Sequence, residues 1–136
     1  MANWVHNRLT VIGPNEELQK FIKENKKPVY ILEYNQETDE PYYRKETPEE
    51  TELLSFWHAI APPVYLFPKY KYILKNWYNW NAINWGSKLD AINVNLEGYE
   101  DPTTEKVTYS FKTLEHPPEQ YYYALSEKWP TLLFHV

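Results

Sequence analysis

Any chemistry in this chain has to start from aromatic, amide and carboxylate side chains. The stretch from Trp77 to Ala91, WYNWNAINWGSKLDA, sets Trp77, Trp80 and Trp85, half of the six tryptophans, among Asn79, Asn81 and Asn84. An indole is large, seldom fully buried, and needs a partner for its N–H. Gathered around a turn at Gly86, the residues Trp77, Trp80, Asn84, Trp85, Lys88 and Asp90 make a possible ligand pocket. There the indoles would stack on a base, Lys88 would meet a phosphate, and the amides would read polar edges. The competing reading is packing: the motif folds against a sheet, Gly86 takes a positive φ, and Asp90 accepts hydrogen bonds from the turn. Because buried tryptophan usually serves packing, that reading outweighs the first.

Charge gives a second candidate. Between Glu33 and Glu52 stand eight acids against only Arg44 and Lys45, within a chain of formal net charge −5. The carboxylates Glu33, Glu37, Asp39, Glu40, Glu46, Glu49 and Glu50, with Tyr42 and Tyr43, form a candidate partner-binding surface. Carboxylates attract the Arg and Lys clusters with which other proteins hold nucleic acid, and tyrosines supply contact anchors. A solvated loop kept soluble by its charge explains the same residues.

From Leu53 to Leu89 there is no acid, while Lys69, Lys71, Lys75 and Lys88 supply positive charge. Lys69, Lys71 and Lys75 alternate with Tyr65, Tyr70, Tyr72 and Tyr78, a basic aromatic strip of the kind that holds single-stranded nucleic acid. A helix whose lysine stems cover aromatic rings is the plainer account. The acidic balance of the whole chain weighs against a general nucleic-acid binder, as does an expected polar sheet face of Asn93, Asn95, Thr108 and Ser110 without stacking rings.

Several chemistries have no support. The chain has no cysteine, which removes disulfides, thiolate zinc ligands and thiol catalysis. His6, His58, His116 and His135 lack metal-binding spacing, and no G-x-G-x-x-G, P-loop or G-x-S-x-G motif occurs. No enzyme activity, metal or cofactor is expected. No apolar run approaches the roughly 20 residues that cross a bilayer, and the N-terminal residues do not read as a signal peptide, so a cytoplasmic location is expected.

The positioning elements follow from periodicity. Asn3 to Ile12 alternate, with Val5, Leu9 and Val11 on one face and Trp4, His6, Arg8 and Thr10 on the other, as a half-buried strand does. A helix capped by Asn15 follows, with Leu18, Phe21 and Ile22 inward. Val29 to Tyr34 reads as a short strand, Asn35 to Thr51 as a long loop or insert, and Leu53 to Ala61 as a buried apolar run. Much of Lys69 to Asn81 reads as helix.

Ile92, Val94 and Leu96 then alternate with asparagines, and Val107, Tyr109 and Phe111 with polar residues, the pattern of an antiparallel hairpin. Pro117-Pro118-Glu119 opens a second helix with Tyr122, Leu125 and Trp129 on one stripe, and Thr131 to Val136 closes as a strand. Setting aside an aromatic, partly helical middle insert at about residues 26–90, the order is βαββαβ. That predicts one α+β domain over residues 1–136, an antiparallel ferredoxin-like sheet.

The segments NWVHNRLTVIG, WYNWNAINWGSKLDA and TLEHPPEQYYYALSEKWPTLLFHV resemble the YubB-like ferredoxin-like family of phage and plasmid accessory proteins. The family pattern carries an aromatic where this chain has Leu89. The resemblance implies the ferredoxin-like fold and a mobile-element setting, and it implies no catalytic residues. That setting implies a counter-defence role of the anti-CRISPR kind, in which the protein binds and blocks a nucleic-acid-handling host defence protein in the host cytoplasm. The alternative is a nucleotide or single-stranded nucleic-acid binding module built on the Trp and Lys region. A third reading is a structural or assembly protein of a virion.

Overall fold

A computed structural model describes residues 3–27, 30–34, 37, 41–45, 53–61 and 80–136. Its centre is a four-stranded antiparallel sheet in which β1 (Trp4–Ile12) and β5 (Lys106–Leu114) pair over nine residues each. The outer strands are β4 (Ile92–Glu97), beside β5, and β6 (Leu133–His135), beside β1, giving the order β4-β5-β1-β6. Helices α1 (Asn15–Asn25) and α2 (Glu119–Lys128) complete an α+β fold. A separate antiparallel ribbon is formed by β2 (Tyr30–Tyr34) and β3 (Pro41–Lys45).

Strand alternation decides which residues make the core. Leu9 and Val11 of β1, with Val107, Tyr109 and Phe111 of β5, point to the helical side and are buried. Phe21 of α1 meets Tyr109, Trp129 and Phe134 with ring centroids 6.0, 5.4 and 5.6 Å apart. From the middle of the chain Phe56 joins the same core, 5.6 Å from Trp85, 5.9 Å from Phe111 and 4.2 Å from Tyr121. The described middle residues therefore reinforce the helical side, and on the other sheet face Trp4, His6, Arg8 and Lys106 are exposed while Thr108 is buried.

Local detail departs from simple periodicity in five places. Asn15 is the first helical residue and makes no cap; its amide donates to the carbonyls of Pro102 (2.9 Å) and Thr104 (2.7 Å), tying α1 to the β4–β5 turn. In β4 the register shifts between Ile92 and Asn95, with Asn93 at φ 51°. This bulge sets Ile92 opposite Lys112, on the polar face, and leaves Val94 and Leu96 in the core. In α2 the fully buried tyrosine is Tyr121, with Tyr122 half-buried beside the core. The loop expected at Asn35 to Thr51 contains β3. The closing strand is shorter than Thr131 to Val136, covering Leu133–His135 alone. Residues 80–84 are helical, and the rest of the helix expected over Lys69 to Asn81 lies outside the described residues.

Candidate functional site

The tryptophan motif is built from a helical turn that stops abruptly. The Trp85 amide closes the turn by donating to the Asn81 carbonyl at 2.7 Å, and the Asn84 amide donates to the Trp80 carbonyl at 3.0 Å. Gly86 then adopts φ 90°, which permits the chain to reverse. A Cβ there would lie 2.9 Å from the Glu119 nitrogen and 3.1 Å from the Pro117 oxygen, so glycine is also required by the close approach of the α2 start. The buried Asn81 amide spans the reversal to the Lys88 carbonyl at 2.9 Å, and the Ser87 hydroxyl donates to the Leu89 carbonyl at 2.9 Å.

Trp85 fills the space beneath this turn. It is 1% exposed, its indole N–H donates to the Ile60 carbonyl at 2.9 Å, and its own carbonyl accepts from the Tyr121 amide at 3.2 Å. Trp80 stands edge-on to it with centroids 5.9 Å apart. Asp90 does not accept from the Gly86 turn, as the sequence had suggested. Its Oδ1 takes the amides of Phe56 and Ala91, each at 2.8 Å, and its Oδ2 takes the Ser55 hydroxyl. One carboxylate thus fixes the start of the 3₁₀ turn Phe56–His58, which seats Phe56 against Trp85.

Of the pocket residues read from sequence, the structure brings Trp80, Asn84, Trp85 and Asp90 into this knot and leaves Lys88 exposed. Trp77 lies outside the described residues. The polar interior leaves a mark on titration: burial first, then the nearby Tyr109 and Asp90, pushes the Tyr121 hydroxyl well above its ordinary range. An open recess of about 380 Å³ lies beside the knot, lined by Ala82, Gly86, His116, Pro117, Glu119 and Gln120. Periodicity gives no signal for it, because its walls come from a turn and a helix start remote in sequence.

The acidic region takes shape as the β2–β3 ribbon. Backbone register sets Glu33 opposite Tyr42, Leu32 opposite Tyr43 and Ile31 opposite Arg44. Three of the candidate partner-binding residues, Glu33, Tyr42 and Tyr43, therefore sit on one two-stranded unit, and Glu37 is exposed in its connection. Asp39, Glu40, Glu46, Glu49 and Glu50 lie outside the described residues, as do Lys69, Lys71, Lys75 and their neighbouring tyrosines.

A third polar cluster joins the C-terminal ends of both helices to the 3₁₀ turn. The His58 ring nitrogen Nε2 lies 2.8 Å from the Lys27 carbonyl, and the Lys128 ammonium donates to the His58 carbonyl. Burial depresses the His58 pKa, against the backbone hydrogen bond to Lys27 and the nearby Glu24. The hydrogen bond from Lys27, at 2.7 Å, holds the Glu24 carboxyl below its usual range. Among the described residues no group of three or more His, Asp or Glu could hold a metal ion, and no helix is long and apolar enough to cross a membrane.

Compared with protein-family models, curated proteins and solved structures, the chain matches none.

Proposed function

We propose that this protein is a non-enzymatic accessory protein of a phage or plasmid that binds a host defence protein and inhibits it by protein–protein contact. The contact surface is the acidic β2–β3 ribbon with its connection, and the partner is a nucleic-acid-handling effector of the CRISPR kind in the host cytoplasm. The observation that carries this reading is the ribbon itself. It pairs its own two strands and no strand of the main sheet among the described residues, and it holds Glu33 and Tyr42 at one register position. Carboxylates beside tyrosines are suited to a cationic, nucleic-acid-binding surface on a partner.

A ferredoxin-like assignment goes with this reading. It is supported by the β1-α1-β4-β5-α2-β6 order of the main sheet and its helices, with the ribbon and tryptophan knot inserted between α1 and β4. The sequence resemblance to YubB-like proteins supports the mobile-element setting. The binding of a ligand by the tryptophan motif is the weaker reading, since Trp85, Asn81 and Asp90 already have internal partners.

The test is capture of a partner from nuclease-treated host lysate by tagged protein, comparing wild type with the triple variant Glu37→Lys, Asp39→Lys, Glu40→Lys. The wild type is expected to retain one stoichiometric partner and to inhibit it once both are purified. The triple variant should lose the partner with an unchanged melting temperature. Retention of that partner by the variant, or capture without inhibition, would overturn the reading.

A further inference from the structure

We propose that the open face of the four-stranded sheet is a binding surface for single-stranded nucleic acid. The proposal does not rest on the docking role of the acidic ribbon. It starts from the residues that alternation sends away from the core. Along β1 these are Trp4, His6, Arg8 and Thr10, and register places them opposite Leu114, Lys112, Ser110 and Thr108 of β5. Lys106 lies opposite Ile12, and His135 of β6 opposite Thr10. Trp4 is 42% exposed; His6, Arg8, Lys106 and His135 are exposed as well.

Charge on this face runs against that of the chain. Arg8, Lys106 and Lys112 are cationic, and Glu97 is the single acid among the strand residues of the face; Glu105 and Glu115 flank β5 in the turns beyond its ends. Glu97 lies 3.5 Å from Arg8, with side chains 61% and 69% exposed respectively. An ion pair so open to water is weak and leaves the guanidinium available to a phosphate. Among the described strand residues, a local positive surface thus stands on the sheet face turned away from α1 and α2, in a protein of net charge −5.

The rings decide which polyanion fits. Residues two apart on a strand repeat at about 6.6–6.8 Å on one face. Trp4, His6 and Arg8 therefore present an indole, an imidazole and a guanidinium in successive rows, with Lys112 beside the middle one. Planar groups interleaved with cations take unpaired bases by stacking while the cations follow the backbone. An acidic peptide would use the cations and leave the rings idle, and a duplex keeps its bases stacked away from a flat sheet. The half-buried Thr10 and Ser110 hydroxyls give the neighbouring rows hydrogen-bonding groups for base or sugar edges, with Thr10 backed by the buried Thr108 hydroxyl 3.1 Å away.

The experiment is fluorescence anisotropy of labelled 12-nucleotide oligo(U) and oligo(dT) titrated with the full chain at several salt concentrations. Binding is expected, with log K falling against log salt at a slope near −2, as about three phosphate contacts to a single strand give. Arg8→Glu with Lys112→Glu should weaken binding at least tenfold, and Trp4→Ala should weaken it severalfold further. Lys23→Glu, on the helical side, should leave it unchanged. All variants should keep the wild-type melting temperature; if the charge-reversed pair does not, Arg8→Gln with Lys112→Gln replaces it. The proposal fails if no binding is seen at 100 µM protein and ~50 mM salt. It also fails if Lys23→Glu weakens binding as much as the face variants do, or if polyglutamate or a duplex of equal length competes as well as the single strand. Loss of partner capture in the ribbon triple variant with oligonucleotide binding intact would separate this proposal from the docking reading.

Discussion

The two faces of the central sheet are made by the same strands and obey opposite rules. On the helical side, Leu9, Val11, Tyr109 and Phe111 are sealed under α1, α2 and the knot of Phe56 and Trp85. On the other side, Trp4, His6, Arg8 and Lys106 meet water two residues at a time along those strands. A half-covered antiparallel sheet needs only every second residue for its core. Of the remaining positions Thr108 is buried and the others are exposed or half-buried, so the exposed ones are free to have their chemistry set by a partner. The covered face is also where the described long-range aromatic contacts concentrate, which is why the described middle residues around Phe56 and Trp85, although inserted between α1 and β4, are part of the fold.

This comparison breaks most severely at Trp85. Trp85→Ala removes a fully buried indole together with its hydrogen bond to Ile60, and a loss of about 3–5 kcal/mol is expected for such a truncation. Chemical denaturation should show it, and Trp4→Ala on the open face should cost less than about 0.5 kcal/mol by the same measurement. Equal costs for the two tryptophans would erase the distinction between the faces. Asp90→Ala comes next. It leaves the Phe56 and Ala91 amides and the Ser55 hydroxyl without their carboxylate, and a loss of about 2–3 kcal/mol is expected for charge-assisted bonds of this kind. Asp90→Asn should recover part of that loss, because one oxygen acceptor remains. Gly86→Ala is expected to cost about 1–3 kcal/mol, since φ 90° is strained for any Cβ and the nearest backbone atoms belong to the α2 start.

How much of this was legible from sequence depended on whether a signal was local. Alternation in β1 and β5, the helical stripe of Leu18, Phe21 and Ile22, and the positive φ of Gly86 are set by neighbouring residues and read correctly. Ile92 misled because a bulge is a two-strand property: only pairing with β5 shows that the register slips at Asn93. Asn15 has the composition of a cap, yet its amide is claimed by the carbonyls of Pro102 and Thr104, far along the chain. Asp90 was rightly singled out as an acceptor, but its donors lie more than thirty residues earlier, at Ser55 and Phe56. The short β3 was hidden by its Pro41 start and flanking charge. The open face was read in parts, β1 and β5 separately, and joined only through register.

Smaller effects sharpen the contrast. His58, at the junction of both helices, is held neutral by burial, so its folded pKa lies below that of the unfolded chain. The unfolded state then takes up the proton first as pH falls through the ordinary imidazole value near 6.5, and stability declines from there until the folded pKa is reached. A shallow drop in melting temperature below that value is expected, and His58→Gln should flatten it. If the slope persists in the variant, another group on the covered side is responsible.

The smallest effect expected is at Tyr109, and it tests what the covered face requires. The ring is wholly buried and meets Phe21 edge-on, while the hydroxyl has no hydrogen-bond partner among the described residues. Burial drives its ionisation well above the ordinary tyrosine value, as an unpaired phenol in an apolar setting should. An unmet hydroxyl gives the folded state nothing to offset its lost hydration, so Tyr109→Phe should leave stability within about 0.5 kcal/mol or raise it. Tyr109→Ala, which removes the ring as well, should cost several kcal/mol on the scale of other large-to-small core truncations. A loss above about 1 kcal/mol in the phenylalanine variant would mean that the hydroxyl is bonded, through an internal water or otherwise, and that the covered face depends on polar order as well as on aromatic volume.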